Sequence, residues 1–137
     1  MTALVLPEGQ WWDWEIMTWT AGTLTLAAST DLTYHHGLEV IVSDVGFVQC
    51  PSLFHHAVFR EPTAAERDFV LRQSAGDAPL IVAFDHNEHD AAGRAMSGLI
   101  GAADVRVVTG TAYRYLRPGL RPGERLASEV IGGGGNE

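Results

Sequence analysis

Short runs of strand-forming residues, most of them alternating between apolar and polar, follow one another through the first fifty positions of the chain. These runs cover residues 12–16, 23–29, 38–43 and 45–50. A period of two residues indicates a half-buried β-strand, because successive side chains point to opposite faces of a sheet. The turn residues Ala21-Gly22 and Ser43-Asp44 separate runs at the short spacing of an antiparallel meander. The chain is therefore predicted to fold around an antiparallel sheet.

One helix is predicted after these strands. Thr63 and Glu66 have the spacing of a capping box, in which each side chain accepts a hydrogen bond from the other residue's backbone N–H. Gly76 suits the left-handed position just past a helix end. The helix is expected over residues 64–75.

The second half of the chain is predicted to return to strands. A buried strand is expected at residues 80–84, and a closing hairpin is expected to join residues 105–109 and 111–116 around Gly110. Residues 91–103 are rich in small side chains and fit either a helix or a strand, and residues 124–131 are expected to add one or two helical turns.

Together these elements predict an α+β fold, with a mainly antiparallel sheet that is curled into a barrel or a sandwich and one helix near residues 64–75. The length of 137 residues is that of a single domain with a core of its own. This domain is expected to occupy residues 1–131. Residues 132–137, which include four glycines in a row, are expected to form a flexible tail.

The charge of the chain narrows the classes of partner. Seventeen acidic residues face nine basic ones, and the formal net charge is −8. A surface of this sign repels phosphate backbones, so nucleic acid is not expected as a direct ligand. The same charge favours solubility and attraction to a basic protein.

The compartment is expected to be the cytoplasm. The first ten residues have no positively charged segment of the kind that begins a secretory signal, and the apolar runs are much shorter than a membrane span. The single cysteine, Cys50, cannot form an internal disulfide. No membrane partner is predicted.

The first candidate site lies around two adjacent histidines. His35 and His36 stand close to Asp31 and Glu39, and together they have the ingredients of a polar pocket. An imidazole that titrates near neutrality is able to act there as a general acid or base. These four residues are the candidate catalytic group, and the alternative is an ordinary turn beside a hydrogen-bonded histidine.

The second candidate site is the densest cluster of metal-ligating residue types in the chain, residues 85–90. Its candidate ligands are Asp85, His86, Glu88 and His89. Imidazole with carboxylate suits a divalent transition metal, and two histidines three apart meet on one turn of a helix. The spacing matches no established metal motif, so a solvated polar loop is the alternative, and no cofactor is assigned.

Tryptophan supplies the third candidate, a binding surface. Four of these residues fall within nine positions: Trp11, Trp12, Trp14 and Trp19. Tryptophan is enriched at contact surfaces and in ligand pockets, and two adjacent tryptophans on a strand face opposite ways. At least one indole is therefore expected outside the core, where it would serve a partner or a homodimer; sheet packing is the alternative.

Two segments resemble small bacterial domains found among contact-dependent toxin immunity proteins. They are residues 29–40, STDLTYHHGLEV, and residues 49–54, QCPSLF, within a similarity that spans residues 10–60. The resemblance implies a compact acidic domain that works by binding, and it carries over no catalytic residue.

Two functions remain open at this point. The first is a small acidic cytoplasmic binding protein, of the immunity type, that acts through a protein partner. The second is a small enzyme or ligand-binding domain whose histidine and carboxylate pocket takes a small molecule, with or without a divalent metal. Convergence of the histidines and carboxylates into one concave site would favour the second function.

Overall fold

Ten strands and one helix make up the part of the chain that the computed structural model describes, residues 4–74, 76, 78–89, 92 and 95–127. The elements are β1 (Asp13–Thr20), β2 (Thr23–Ser29), β3 (His35–Ser43), β4 (Phe47–Gln49), β5 (Leu53–His55), β6 (Val58–Arg60), α1 (Ala64–Gln73), β7 (Leu80–His89), β8 (Ala95–Ala102), β9 (Asp104–Tyr113) and β10 (Arg125–Leu126). The predicted tail, residues 132–137, lies outside the described residues. No helix in the described ranges has the length and apolar character needed to cross a bilayer.

Six strands form the larger of two sheets, in the order β10-β9-β3-β2-β1-β5. All neighbours are antiparallel except β10 and β9. The predicted turn between β1 and β2 is confirmed: Ala21 and Gly22 adopt φ values of 49° and 82°. Two successive positive φ angles are those of a type I′ turn, whose twist matches the twist of paired strands.

Four strands form the smaller sheet, in the antiparallel order β4-β8-β7-β6. The ambiguous segment 91–103 contributes strand β8. Gly98 in β8 lies beneath the ring of Phe84, since a Cβ atom built at Gly98 would come within 2.1 Å of that ring. The small residues of this segment therefore leave room for aromatic side chains of the neighbouring strand.

The two sheets pack face to face through one hydrophobic core. The ring of Phe54 on the large sheet lies between Trp14, 6.0 Å away between ring centroids, and Phe84 of the small sheet, 4.8 Å away. All three side chains are fully buried. The α+β class and the antiparallel pairing are confirmed. Of the two alternatives, barrel and sandwich, the barrel is not supported, because the described strands form two separate sheets.

The predicted helix is confirmed as α1. The Thr63 hydroxyl accepts a hydrogen bond from the Glu66 backbone N–H at 3.1 Å, and the Glu66 carboxylate accepts one from the Thr63 N–H at 2.8 Å. Past the helix end, Gly76 adopts a φ of 81°. Val70 packs α1 onto the small sheet, where a Cβ atom on Gly101 would come within 2.8 Å of it.

Arg60 joins this helix to the small sheet. Its guanidinium donates two hydrogen bonds to the Glu66 carboxylate, at 2.7 and 2.9 Å, and two to Asp85 of β7, at 3.0 and 3.1 Å. Ser97 of β8 donates to Asp85 at 2.7 Å. These four residues form the Arg60 cluster. The hydrogen bonds from Arg60 lower the pKa of both carboxyls.

The predicted closing hairpin around Gly110 is wrong. Strand β9 runs from Asp104 to Tyr113 without a turn and pairs with β3. Gly110 lies where the register between these strands shifts, and it adopts a φ of 107°. A Cβ atom here would come within 2.5 Å of the Gly123 carbonyl oxygen. The glycine therefore permits a bulge and a close approach of backbone, not a chain reversal.

The helical turns predicted within residues 124–131 do not form in the described part of that range. Arg125–Leu126 instead make a short strand, β10, that pairs in parallel with the end of β9. Residues 128–131 lie outside the described residues. The backbone N–H of Ala127 donates to the Tyr113 carbonyl at 2.8 Å, which holds this segment against β9.

Candidate functional site

All three tyrosines of the chain lie at one corner of the large sheet, where β3 begins and β9 ends. Tyr34 immediately precedes β3, whose first residue, His35, pairs with Tyr113 of β9. The backbone N–H of Arg114 donates to the Tyr34 carbonyl at 2.8 Å, which continues the pairing beyond the strand. Tyr115 follows two residues after Tyr113. Strand pairing thus joins residues about eighty positions apart.

The rings of these tyrosines form a row. The Tyr34 and Tyr115 centroids are 6.2 Å apart with an angle of 89° between the rings, and Tyr115 and Tyr113 are 5.7 Å apart at 67°. Tyr34 is 66% exposed and Tyr115 is 40% exposed. An open cavity of about 390 Å³ is lined by these two rings. We call Tyr34, Tyr113, Tyr115 and Arg117 the tyrosine surface.

Arg117 completes this surface. Its guanidinium carbon lies 4.4 Å from the centroid of the Tyr113 ring, and its NH1 group donates to the Tyr115 hydroxyl at 2.8 Å. The Tyr113 hydroxyl donates to the Glu124 carboxylate at 2.9 Å, which raises the pKa of Tyr113. One member of the row therefore already holds a cation against its face.

Carboxylates flank the tyrosine surface at both ends. Asp31 lies in the exposed turn before Tyr34 and accepts hydrogen bonds from the Thr33 hydroxyl, at 2.6 Å, and the Thr33 N–H, at 2.9 Å. These bonds lower the pKa of Asp31. At the other end, the backbone N–H of Arg121 lowers the pKa of Glu124. Both carboxylates therefore stay ionised at neutral pH.

His36 and Glu39 meet on β3, although residues three apart on a regular strand face opposite ways. The register between β3 and β9 shifts between His36 and Leu38, and the His36 Nε2 lies 2.7 Å from the Glu39 carboxylate. Arg114 donates its Nε–H to Nδ1 of His36 at 3.3 Å. Nε2 of His36 therefore carries the proton and donates to Glu39.

Further charged side chains extend this pair across the large sheet. Arg125 of β10 donates to the Glu39 carboxylate at 2.9 Å, and Arg114 donates to the carboxylate of Glu15 on β1. The hydrogen bond from His36, together with Arg125, lowers the pKa of Glu39 to about 2. We call these five residues the ionic row. It joins strands from β1 to β10 on one side of the sheet.

The structure brings together two of the four candidate catalytic residues. His36 is fully buried, and both of its ring nitrogens are hydrogen bonded, so a substrate has no access to it. Glu39 is its partner. His35 lies at the tyrosine surface, with its ring 6.4 Å from that of Tyr113, and Asp31 belongs to the exposed turn.

The candidate metal ligands lie on strand β7 and not on a helical turn or a loop. Asp85 is hydrogen bonded to Arg60 and Ser97, whereas His86 is buried, with its ring 5.7 Å from that of Phe54. Adjacent residues on a strand point to opposite faces, so these two side chains diverge. A metal ion cannot use both.

Glu88 and His89, the other two candidates, belong to β7 by their backbone, and their side chains lie outside the description. Among the side chains that are described, no group of three or more histidines, cysteines or carboxylates is placed to hold a metal ion.

The four tryptophans of the candidate binding surface are spread over different environments. Trp14 is fully buried in the core, and the indole N–H of the half-buried Trp11 donates to the Pro7 carbonyl at 2.9 Å. Trp12 and Trp19 are 47% and 55% exposed. These two are seven positions apart, which is roughly 20 Å along an extended strand. The four indoles therefore do not share one surface.

A second open cavity, of about 370 Å³, lies beside Trp11. Its described lining consists of Pro7, Glu8, Trp11, Gly37, Thr109, Gly110 and Thr111. Glu8 supplies the one carboxylate in this described lining, and no histidine with a described side chain takes part. Among the described residues, the cavity therefore brings no histidine and carboxylate together.

The tyrosine surface was not predicted from the sequence. A signal was present, since Tyr113 and Tyr115 are two residues apart and an extended segment places such residues on one face. Tyr34 gives no such signal, because its proximity depends on the pairing of β3 with β9.

The chain matches no known family model, no curated protein and no solved structure.

Proposed function

We propose that the protein is a binding protein that recognises a protein partner through the tyrosine surface. The exposure of Tyr34 and Tyr115 around an open cavity carries this proposal. Tyrosine offers a large contact area with few rotatable bonds, and it is enriched among the residues that dominate binding energy. Leu116 and Leu120, which are 77% and 39% exposed, add apolar area in the same segment.

The alternative function, a small enzyme with a histidine and carboxylate pocket, has less support. His36 is enclosed by its hydrogen-bond partners, and the described cavities bring no histidine and carboxylate together. Burial raises the pKa of the Cys50 thiol to about 11, so this thiol is protonated at neutral pH and is a poor nucleophile. These observations favour binding over acid–base or thiol catalysis.

The resemblance to toxin immunity domains supplies a class of partner for this proposal. A net charge of −8 attracts a basic protein and raises the rate of its association. We therefore propose a basic effector protein encoded beside this gene as the first partner to test.

The experiment is affinity capture with the purified chain as bait and the products of the adjacent genes as prey. Three baits are compared: the wild-type chain, Tyr34→Ala/Tyr115→Ala, and Trp12→Ala/Trp19→Ala. The tryptophan variant is a matched control, because it removes two aromatic side chains of similar exposure that are not part of the tyrosine surface. We expect the tyrosine variant to bind at least about tenfold more weakly, as for interface aromatics in general, and the tryptophan variant to bind as wild type.

Thermal melting of each variant separates loss of binding from loss of folding. A tyrosine variant that melts like the wild type and still captures the partner at full strength would refute the proposal. Selective loss in the tryptophan variant would instead place the binding surface on β1.

A further inference from the structure

We propose that the cavity between Tyr34 and Tyr115 binds a cationic side chain, arginine or lysine, of a basic partner. This inference rests on the proposed function and names the chemistry that the tyrosine surface recognises. The geometry of the rings, the position of Arg117 and the charges around the corner each support it.

The geometry is that of an edge-to-face pair of aromatic rings beside an open cavity. Two nearly perpendicular rings, 6.2 Å apart between centroids, line the cavity. The face of an aromatic ring carries partial negative charge, and a cation within about 6 Å of the ring centroid is attracted to it. The cavity therefore lies beside two residues that carry such rings.

Arg117 shows that this row of rings holds a cation. Its guanidinium lies 4.4 Å from the Tyr113 centroid. Tyr113 adjoins Tyr115, which lines the cavity. The contact of Arg117 with Tyr113 is therefore an example, on the neighbouring ring, of the contact that we infer between Tyr115 and a partner.

Charge complementarity favours a cation over an apolar or anionic occupant. Asp31 lies in the turn that leads to Tyr34, and Glu124 is hydrogen bonded to Tyr113 at the far end of the row. Glu124 also lies close enough to Arg117 to offset its positive charge. The whole chain adds a net charge of −8, which draws basic partners towards it.

The test uses fluorescein-labelled peptides of glycine and serine that carry arginine at every third position, and their binding to the full chain is measured by fluorescence anisotropy. Matched peptides carry citrulline, which is the neutral analogue of arginine, or proline. We expect citrulline to weaken binding about twofold to fivefold, which is the range for exposed cation–π contacts.

Two pairs of variants test whether the ring faces are responsible. Tyr34→Phe/Tyr115→Phe keeps both faces and is expected to bind the arginine peptide within about twofold of wild type, because the cation contacts the ring and not the hydroxyl. Tyr34→Leu/Tyr115→Leu keeps apolar area without the rings and is expected to reduce the preference for arginine over citrulline to the part that general attraction by the acidic chain supplies. General attraction by the acidic chain is the same in all of these proteins.

Equal binding of the arginine and citrulline peptides, an unchanged preference in the leucine variant, or stronger binding of the proline peptide would overturn this inference. None of these results alone would overturn the proposed function, which fails only if capture of the protein partner does not depend on the tyrosines.

Discussion

Two clusters of charged side chains hold this protein together, one on each sheet, and they differ in depth. In the ionic row, the side chains of Arg114 and Glu15 are 11% and 22% exposed, and His36 is fully buried. In the Arg60 cluster, Arg60 is 27% exposed and Asp85 is 46% exposed. Both clusters place an arginine between hydrogen-bond acceptors on different elements. The two clusters differ in how well water can hydrate the hydrogen-bond acceptors once the arginine is removed.

The two clusters differ in what they position: the Arg60 cluster positions a helix, and the ionic row positions part of the tyrosine surface. The Arg60 cluster attaches helix α1 to the small sheet, and Asp85, at 46% exposed, is hydrated without its partner, whereas Glu66 is 20% exposed. Arg114 lies between Tyr113 and Tyr115 in the chain, and its side chain reaches the partly buried Glu15 on β1 and the fully buried His36 on β3. The ionic row thus fixes the segment from which two of the three tyrosines project.

The largest expected effect is that of Arg114→Ala. This change leaves Glu15 and His36 without their common donor in a poorly hydrated place, and we expect a loss of about 3 kcal/mol in the free energy of unfolding. Urea denaturation measures it. Arg106→Ala, at an exposed position on β9, is the control and should stay within about 0.5 kcal/mol of wild type. If both variants lose a similar free energy of unfolding, the ionic row contributes no more to stability than an exposed surface charge does.

A smaller effect is expected for Arg60→Ala. The freed carboxylates of Glu66 and Asp85 are partly hydrated, so we expect a loss of about 2 kcal/mol, measured in the same way. Arg72→Ala is its control, because Arg72 and its partner Asp68 are 71% and 65% exposed and such pairs contribute less than about 0.5 kcal/mol. A loss in Arg60→Ala that exceeds that in Arg114→Ala would contradict the ranking by depth.

The smallest of the three expected effects is a loss of stability at low pH. The pKa of Glu39 falls from an ordinary 4.5 to about 2 on folding, so its contribution to stability is complete above pH 4.5 and is lost as the pH falls towards 2. We expect the free energy of unfolding to be about 1 kcal/mol lower at pH 3 than at pH 5 from this residue, because water screens part of the interaction. Glu39→Gln should flatten the dependence on pH, and Glu61→Gln, at an exposed position, should not. If the free energy of unfolding depends on pH equally in Glu39→Gln and in the wild type, the dependence comes from other groups.

Local sequence patterns predicted the elements that depend on neighbouring residues. The capping box at Thr63 and Glu66, the turn at Ala21-Gly22 and the alternation in β1 to β3 each act over a few positions, and the structure has them where they were expected. Gly110 misled the prediction, since a glycine permits a turn and a bulge equally well and only the partner strand selects between them.

Local sequence patterns predicted less of the candidate site, because its contacts join distant parts of the chain. The pairing of His36 with Glu39 lies beside a register shift between β3 and β9, and the arginines that enclose it come from residues more than seventy positions away. The candidate metal cluster included both Asp85 and His86, but both lie on one strand, which turns their side chains apart.

By itself the sequence determined the secondary-structure class, the position of the helix and the negative charge of the chain, because propensity, capping and charge act locally or add up residue by residue. Only the tertiary structure decided which aromatic residues form a surface. The tryptophans are close in sequence but are divided between core and solvent, while the tyrosines are distant and meet, because pairing of β3 with β9 depends on contacts between segments that no local pattern encodes.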